Sequence, residues 1–159
     1  YDKIFVSGSD EELHTMTFRS VMLAAGLVWV AGVTMAPSLN ARQKTVWDGV
    51  YTEEQAKRGA ELYTRDCSSC HQDDLAGDGF APALSGPEFA AAWEGLPVAD
   101  LLDRIRVSMP PTDPGSTSVA EKVDILAYMF KANRFPAGTT ELPKDAGSLK
   151  EIEYRANKP

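Results

Sequence analysis

Hydrophobic residues recur at helical spacing through most of the chain after residue 52. The segment YTEEQAKRGAELYTRD begins with Thr52 as a candidate N-cap, has acidic residues in its first turn, and places Ala56, Gly59, Ala60 and Tyr63 on one face. The apolar stripe of the segment TSVAEKVDILAYMFKAN consists of Val119, Val123, Leu126 and Phe130. Each of these segments therefore predicts an amphipathic helix.

Two shorter helices are predicted between them, in GPEFAAAWEG and VADLLDRIRV, with the Gly- and Pro-rich loops LAGDGFAPALSG and SMPPTDPGS on either side. The last residues, RFPAGTTELPKDAGSLKEIEYRANKP, have little periodicity and predict an irregular C-terminal tail that wraps the surface. No segment alternates in the manner of a strand, so the pattern predicts a small all-α fold.

One stretch near the N-terminus is apolar throughout rather than on one face. The sixteen residues from Val21 to Ala36 carry no charge and follow Arg19. A helix of this length spans roughly 24 Å, a little less than the ~30 Å hydrocarbon core of a bilayer. We expect a membrane anchor over residues 20–37.

Two other interpretations of this stretch stay open. Read from Met16, it is a secretory signal cleaved after Ala41, which would leave a soluble exported protein; the remaining alternative is a buried core helix. With either an anchor or a signal, the rest of the chain is exported. The patterns divide the chain into a polar segment (1–19), the hydrophobic helix (20–37), a linker (38–51), a compact domain (52–138) and a C-terminal extension (139–159).

Charge and cysteine content narrow the function. A net charge of −7 provides no basic stripe to neutralise phosphates, which argues against nucleic acid as a partner and favours basic or neutral partner surfaces. Both cysteines of the chain lie in the sequence CSSCH, residues 67–71, so they cannot staple distant parts of the fold.

The CSSCH segment fits one of three chemistries best. A thioredoxin-like dithiol follows a strand in a βαβ unit, whereas Cys67 follows a predicted helix. A structural zinc ion needs four ligands, and the one other histidine, His14, lies beyond the hydrophobic stretch. The pattern C-x-x-C-H is the attachment signature of c-type haem. Cys67 and Cys70 would form thioethers to two vinyl groups, and His71 would give a nitrogen to the iron.

A second axial ligand is expected from a separate loop. Met109 lies in SMPP, where Pro110 and Pro111 stiffen the backbone. Met129 instead lies among the packing residues of the last long helix, where methionine usually fills gaps in the core. We therefore predict that His71 and Met109 bind the iron.

With these features, residues 54–138 resemble a class I monohaem cytochrome c. In that family the first helix carries a small residue and then an aromatic before the first cysteine, as Gly59 and Tyr63 do here, and it crosses the last helix, here at Ile125 and Tyr128. The resemblance implies N- and C-terminal helices that cross around one covalently bound haem c.

The resemblance also implies haem contacts in the loop that follows the motif. The family uses a backbone carbonyl there to receive the second N–H of the histidine, and the matching position is Pro82 of APALSG. Leu84 of the same loop is a further expected haem contact. Arg104, Arg106 and Trp93 are candidates for the haem propionates.

As function, the resemblance implies electron transfer rather than enzymatic catalysis, on the periplasmic side of a bacterial inner membrane. The expected partners are a redox donor and acceptor, such as a dehydrogenase, an oxidase or a membrane redox complex; VWDGVYTEEQAKRG, MPPTDPGS and KANRFPAG resemble cytochromes that accompany bacterial quinoprotein dehydrogenases. A fixed haem subunit of a larger complex is the alternative to a diffusing carrier. A haem-based sensor or peroxidase would need an open iron position.

Overall fold

The computed structural model describes residues 42–159. Within them the chain forms six α-helices, one short 3₁₀ turn and two very short strands. The helices are α1 (Glu53–Asp66), α2 (Ser68–His71), α3 (Gly86–Trp93), α4 (Val98–Ser108), α5 (Val119–Ala132) and α6 (Ala146–Lys150), the 3₁₀ turn is Val46–Asp48, and the strands are β1 (Lys44–Thr45) and β2 (Ile152–Glu153). The predicted all-α fold is confirmed for this part of the chain.

Local sequence sets where the two long helices begin. The side chain of Thr52 accepts a hydrogen bond from the backbone N–H of Gln55 at the start of α1, as its N-cap position predicts. Ser118 and Glu121 form a reciprocal capping box at the start of α5. Val119, the first residue of α5, is 42% exposed, because the apolar stripe enters the core only from the next turn onward.

Helices α1 and α5 cross in close contact at Gly59. A Cβ atom added to Gly59 would lie 1.8 Å from the carbonyl oxygen of Asp124 and 2.5 Å from its carbonyl carbon. Beside this point the rings of Tyr63 and Tyr128 pack with their centroids 5.2 Å apart. Only a residue without a side chain lets the two backbones approach this closely. This is the helix crossing expected from Gly59, Tyr63, Ile125 and Tyr128.

The C-terminal extension is more ordered than its sequence predicts. It contains α6 and β2, and β2 pairs in parallel with β1 in the segment expected to be a linker. Its buried side chains are Leu142, Leu149, Ile152 and Tyr154. They join one core with Val46, Val50 and Tyr51 and with the aromatic residues Phe89, Phe130 and Phe135. The extension is irregular over most of its length, as predicted, but the prediction that it only wraps the surface was wrong, because single buried side chains in short turns leave no periodic pattern.

Predictions for the hydrophobic stretch at residues 20–37 fall on residues outside the described part. Among residues 42–159, no helix is both long enough and apolar enough to cross a membrane.

Candidate functional site

The CSSCH segment follows directly on the end of α1. Cys67 ends that helix by donating its backbone N–H to the carbonyl oxygen of Tyr63, at 2.8 Å, and α2 then makes a single turn to His71. Cys67 is half-buried, Cys70 is exposed, and both are free thiols. His71 is only 6% exposed. One turn of helix thus presents two thiols and one imidazole from neighbouring positions.

The imidazole of His71 is oriented by Pro82. Its Nδ1 lies 2.8 Å from the carbonyl oxygen of Pro82. A carbonyl oxygen can only accept a hydrogen bond, so Nδ1 carries the proton and donates it. The lone pair then lies on Nε2, which is the atom free to bind a metal, and the hydrogen bond at Nδ1 raises the ligand strength of the ring. The contact expected for Pro82 is present.

The loop before Pro82 is held by its own hydrogen bonds. The carboxylate of Asp78 accepts from the backbone N–H groups of Phe80 and Ala81, at 2.9 and 2.7 Å, and these bonds hold the pKa of Asp78 below its usual value. Gly77 has a φ of +70°, and a Cβ there would lie 2.3 Å from the carbonyl oxygen of Ala81. The loop therefore needs glycine at position 77 to place the Pro82 carbonyl.

Two further contacts fix the surroundings of His71. The hydroxyl of Tyr63 donates to the carbonyl oxygen of Gln72 at 2.7 Å, and burial raises the pKa of this tyrosine. The backbone N–H of Leu84 donates to the carbonyl oxygen of Leu75 at 2.8 Å, and the Leu84 side chain is partly buried against the core. The sequence suggested Tyr63 as a ring that fills the helix crossing, but not that its hydroxyl binds the residue after His71.

The two methionines singled out in the sequence lie in different surroundings. Met109 follows the last residue of α4, donates its backbone N–H to the carbonyl oxygen of Ile105 at 3.0 Å, and is partly exposed. Met129 is 1% exposed and belongs to the hydrophobic core. The structure thus leaves Met109 free of the core packing that occupies Met129. Ligation of iron by Met109 stays a prediction.

The environment of Cys67 does not suit a redox dithiol. Burial, together with the neighbouring carboxylate of Asp66, raises the pKa of its thiol to about 11. Such a thiol is protonated at neutral pH, whereas reactive cysteines have a lowered pKa. Within residues 42–159 there is also no cluster of three or more histidine, cysteine or acidic side chains that could hold a metal ion by themselves.

The residues expected at the propionates divide into two sets. Trp93 and Arg104 line one cavity of about 500 Å³, together with Leu96 and Val107. Arg106 instead forms an ion pair with Asp103, at 2.6 Å. The structure therefore brings Trp93 and Arg104 together at this cavity, whereas Arg106 is paired with Asp103, a carboxylate that also lines it.

The donor set fits a covalently attached haem. Two free thiols stand at the required spacing, and the next residue has a buried imidazole whose Nε2 is available. The side chains of Phe80 and Val107 are 97% and 58% exposed, so apolar surface remains uncovered in the loop before Pro82 and at the end of α4. These features match a large apolar prosthetic group better than a lone ion.

The burial of one lysine was not predicted from the sequence. Lys122 is 2% exposed and lies in the first turn of α5. Its position, three residues after Val119 and four before Leu126, belongs to the apolar stripe of this helix. A charged residue within that stripe was the signal that could have identified it.

Comparison with known proteins agrees with this description. The family model described as "Cytochrome C oxidase, cbb3-type, subunit III" matches residues 54–129, a little under half of the chain. No match was found among curated proteins or among solved structures. The matched residues contain CSSCH, Pro82, Met109 and the two crossing helices. The chain therefore contains a c-type cytochrome domain, whose cofactor is a covalently bound haem c.

Proposed function

We propose that this protein transfers single electrons through one haem c whose iron is bound by His71 and Met109. The observation that carries the proposal is the hydrogen bond from Nδ1 of His71 to the carbonyl oxygen of Pro82, which leaves Nε2 to bind iron beside two free thiols. The haem supplies one-electron chemistry, with the iron alternating between the ferric and ferrous states. A thioether ligand from Met109 favours the ferrous state and so raises the reduction potential.

Rigid support of His71 is consistent with electron transfer. The Pro82 loop is held by Asp78, and the residue after His71 is held by Tyr63. Both supports are hydrogen bonds within the protein. If His71 and Met109 both bind the iron, no ligand position would remain open for a substrate. Electron transfer is therefore favoured over a peroxidase or a gas sensor.

The proposal includes a location and partners. We infer that the domain lies on the periplasmic side of a bacterial inner membrane, anchored through residues 20–37, with a soluble periplasmic form after signal cleavage as the alternative. Its net charge of −7 favours redox partners with basic or neutral docking surfaces. The description of the matching family, a subunit of an oxidase, favours as second candidate a fixed haem subunit of a larger complex.

Two matched substitutions test the ligation. In Met109→Leu, the near-infrared sulfur–iron band of the ferric protein disappears and the reduction potential falls, because leucine offers no ligand. In Met129→Leu, a similar change in a buried methionine, both properties stay close to those of the wild type. The reverse result would assign the ligand to Met129. A ferrous wild-type spectrum that shifts on addition of carbon monoxide would show that the gas binds the iron, which would refute ligation by both His71 and Met109.

Location and assembly need a separate test. After cell fractionation, an anchored protein is recovered with the membranes and is released by detergent, whereas a soluble haem protein that begins near Arg42 would refute the anchor. Size-exclusion chromatography of the detergent extract then separates a carrier from a complex subunit. A carrier elutes near the mass of a single chain plus detergent, and a fixed subunit co-elutes with other redox proteins.

A further inference from the structure

Lys122 is an unusual residue for the position that it occupies. It lies in α5 with 2% of its surface exposed, and burial lowers its pKa. Among residues 42–159, no carboxylate lies within ion-pair distance of its Nζ atom. Burying an ammonium group without such a partner is costly, so its hydrogen bonds must compensate for the lost water.

Those hydrogen bonds lie on both sides of Met109. The Nζ atom donates to the carbonyl oxygen of Pro114 at 2.5 Å and, more weakly, to that of Arg106 at 3.4 Å. Arg106 is in the last turn of α4, where carbonyl groups lack a helical partner and a cation is favourable. Lys122 therefore joins the end of α4 to the far side of the loop that carries Met109, which we define as residues 109–117.

A second contact holds the other end of the same loop. The hydroxyl of Thr117, which is 3% exposed, donates to the carboxylate of Asp66 at 2.8 Å. Asp66 is the last residue of α1 and directly precedes Cys67. The loop is thus attached to the helix that ends at the first cysteine and to α5, and neither attachment involves the side chain of Met109.

We propose that Lys122 is a positioning residue, which holds the loop of residues 109–117 so that the sulfur of Met109 stays bound to the iron. The proposal rests on the proposed ligation by Met109. Two acceptors separated by eight residues, bound to one cation, restrict the loop between them, and Met109 lies within it. Without the cation, Arg106 and Pro114 lose this link and the loop opens more readily.

Imidazole provides the test, because it binds ferric iron only where the methionine has moved away. Lys122→Met removes the ammonium and keeps an unbranched apolar chain. We expect imidazole to bind this variant about tenfold more tightly or more, because hydrogen bonds from a charged donor are stronger than those between neutral groups. The affinity is read from the loss of the sulfur–iron band during titration of the full-length haem protein.

Two controls separate positioning from general stability. Lys131→Met removes an exposed lysine from the same helix. Gln55→Met removes a buried side chain that binds the backbone of Leu142 through two hydrogen bonds. We expect Gln55→Met to lower the thermal midpoint while its imidazole affinity stays within about twofold of the wild type. Lys131→Met should change neither.

Each outcome decides the question. A tenfold gain in affinity confined to Lys122→Met supports the positioning role, whereas an unchanged affinity, or an equal gain in Gln55→Met, overturns it. A parallel Met109→Leu sample that keeps the sulfur–iron band overturns the proposed ligation, and the positioning role with it. If Lys122→Met does not accumulate with haem, Lys122→Gln, which keeps one donor group, replaces it. Its imidazole affinity is compared with the same controls, and a gain of about threefold then supports the positioning role.

Discussion

The crossing of α1 and α5 at Gly59 allows a quantitative prediction for Gly59→Ala. The new methyl group would lie 1.8 Å from the carbonyl oxygen of Asp124, whereas an ordinary contact begins at 3.4 Å. The helices would have to move apart by about 1.6 Å, and the atom in the way is backbone, which cannot rotate aside. This displacement would loosen the packing of Tyr63 against Tyr128 and the apolar contacts on both sides of it.

Two opposing effects set the magnitude. Alanine is a better helix former than glycine by about 1 kcal/mol, which favours the variant. Overpacking a well-packed contact costs about 1–3 kcal/mol, and more where backbone must move. Because this contact is with backbone and the required shift exceeds 1 Å, we expect overpacking to dominate. With a cost of about 3 kcal/mol from overpacking and a gain of about 1 kcal/mol from helix propensity, the free energy of unfolding should fall by about 2 kcal/mol.

Denaturant unfolding of the haem protein, followed by far-ultraviolet circular dichroism, measures this loss. Gly147→Ala is the matched control, since Gly147 also lies in a helix and a Cβ there meets only a side-chain oxygen of Asp145, at 3.3 Å. We expect that variant to be as stable as the wild type or slightly more stable. If Gly59→Ala were as stable as Gly147→Ala, the close approach of the two backbones would not be what requires glycine at position 59.

Three further predictions concern the site and the start of α5. Tyr63→Phe removes the donor to the carbonyl oxygen of Gln72, so the free energy of unfolding measured in denaturant should fall by about 0.5–1.5 kcal/mol. An unchanged free energy of unfolding would mean that water replaces the hydroxyl. Gly77→Ala strains the loop that places Pro82, and this strain weakens the hydrogen bond between Pro82 and His71. Because the imidazole then binds iron less strongly, potentiometry should give a higher reduction potential than in the wild type. Hydrogen bonds with Ser118 and the nearby Arg65 lower the pKa of Glu121 to about 2. The charge of Glu121 therefore stabilises the fold above about pH 4.5, and this contribution is lost as the pH falls towards 2. Glu121→Gln should therefore have a lower thermal midpoint than the wild type at pH 7, and the difference should narrow below pH 4.5; a constant difference would refute the role of charge.

Structural features that rest on a repeating pattern or on a local motif could be predicted from the sequence. The start of α1 follows from Thr52 because a capping side chain acts within three residues. The crossing at Gly59 could be expected because a small residue and an aromatic stand one helical turn apart. CSSCH identified the cofactor because its two cysteines and its histidine each have a separate chemical task.

Contacts between segments distant in the sequence could not be predicted in this way. The pairing of β1 with β2 joins residues 108 positions apart, and each strand has only two residues, too few to show an alternating pattern. The burial of Lys122 depends on the carbonyl oxygens of Arg106 and Pro114, whose directions only the folded loop determines. The hydroxyl of Tyr63 likewise finds its acceptor only after α2 has turned back towards α1.

The ordered C-terminal extension has a consequence for the synthesis of the protein. Gln55 in the first long helix binds both the N–H and the carbonyl oxygen of Leu142, and the ring of Tyr154, twelve residues later, packs against Phe89 and Phe135. A nascent chain that has not yet reached Tyr154 cannot complete this core, although its haem-binding segment is already made. Premature termination after residue 138 would leave the attachment motif intact but expose the apolar surface that the extension covers, which makes such a fragment a target for proteolysis.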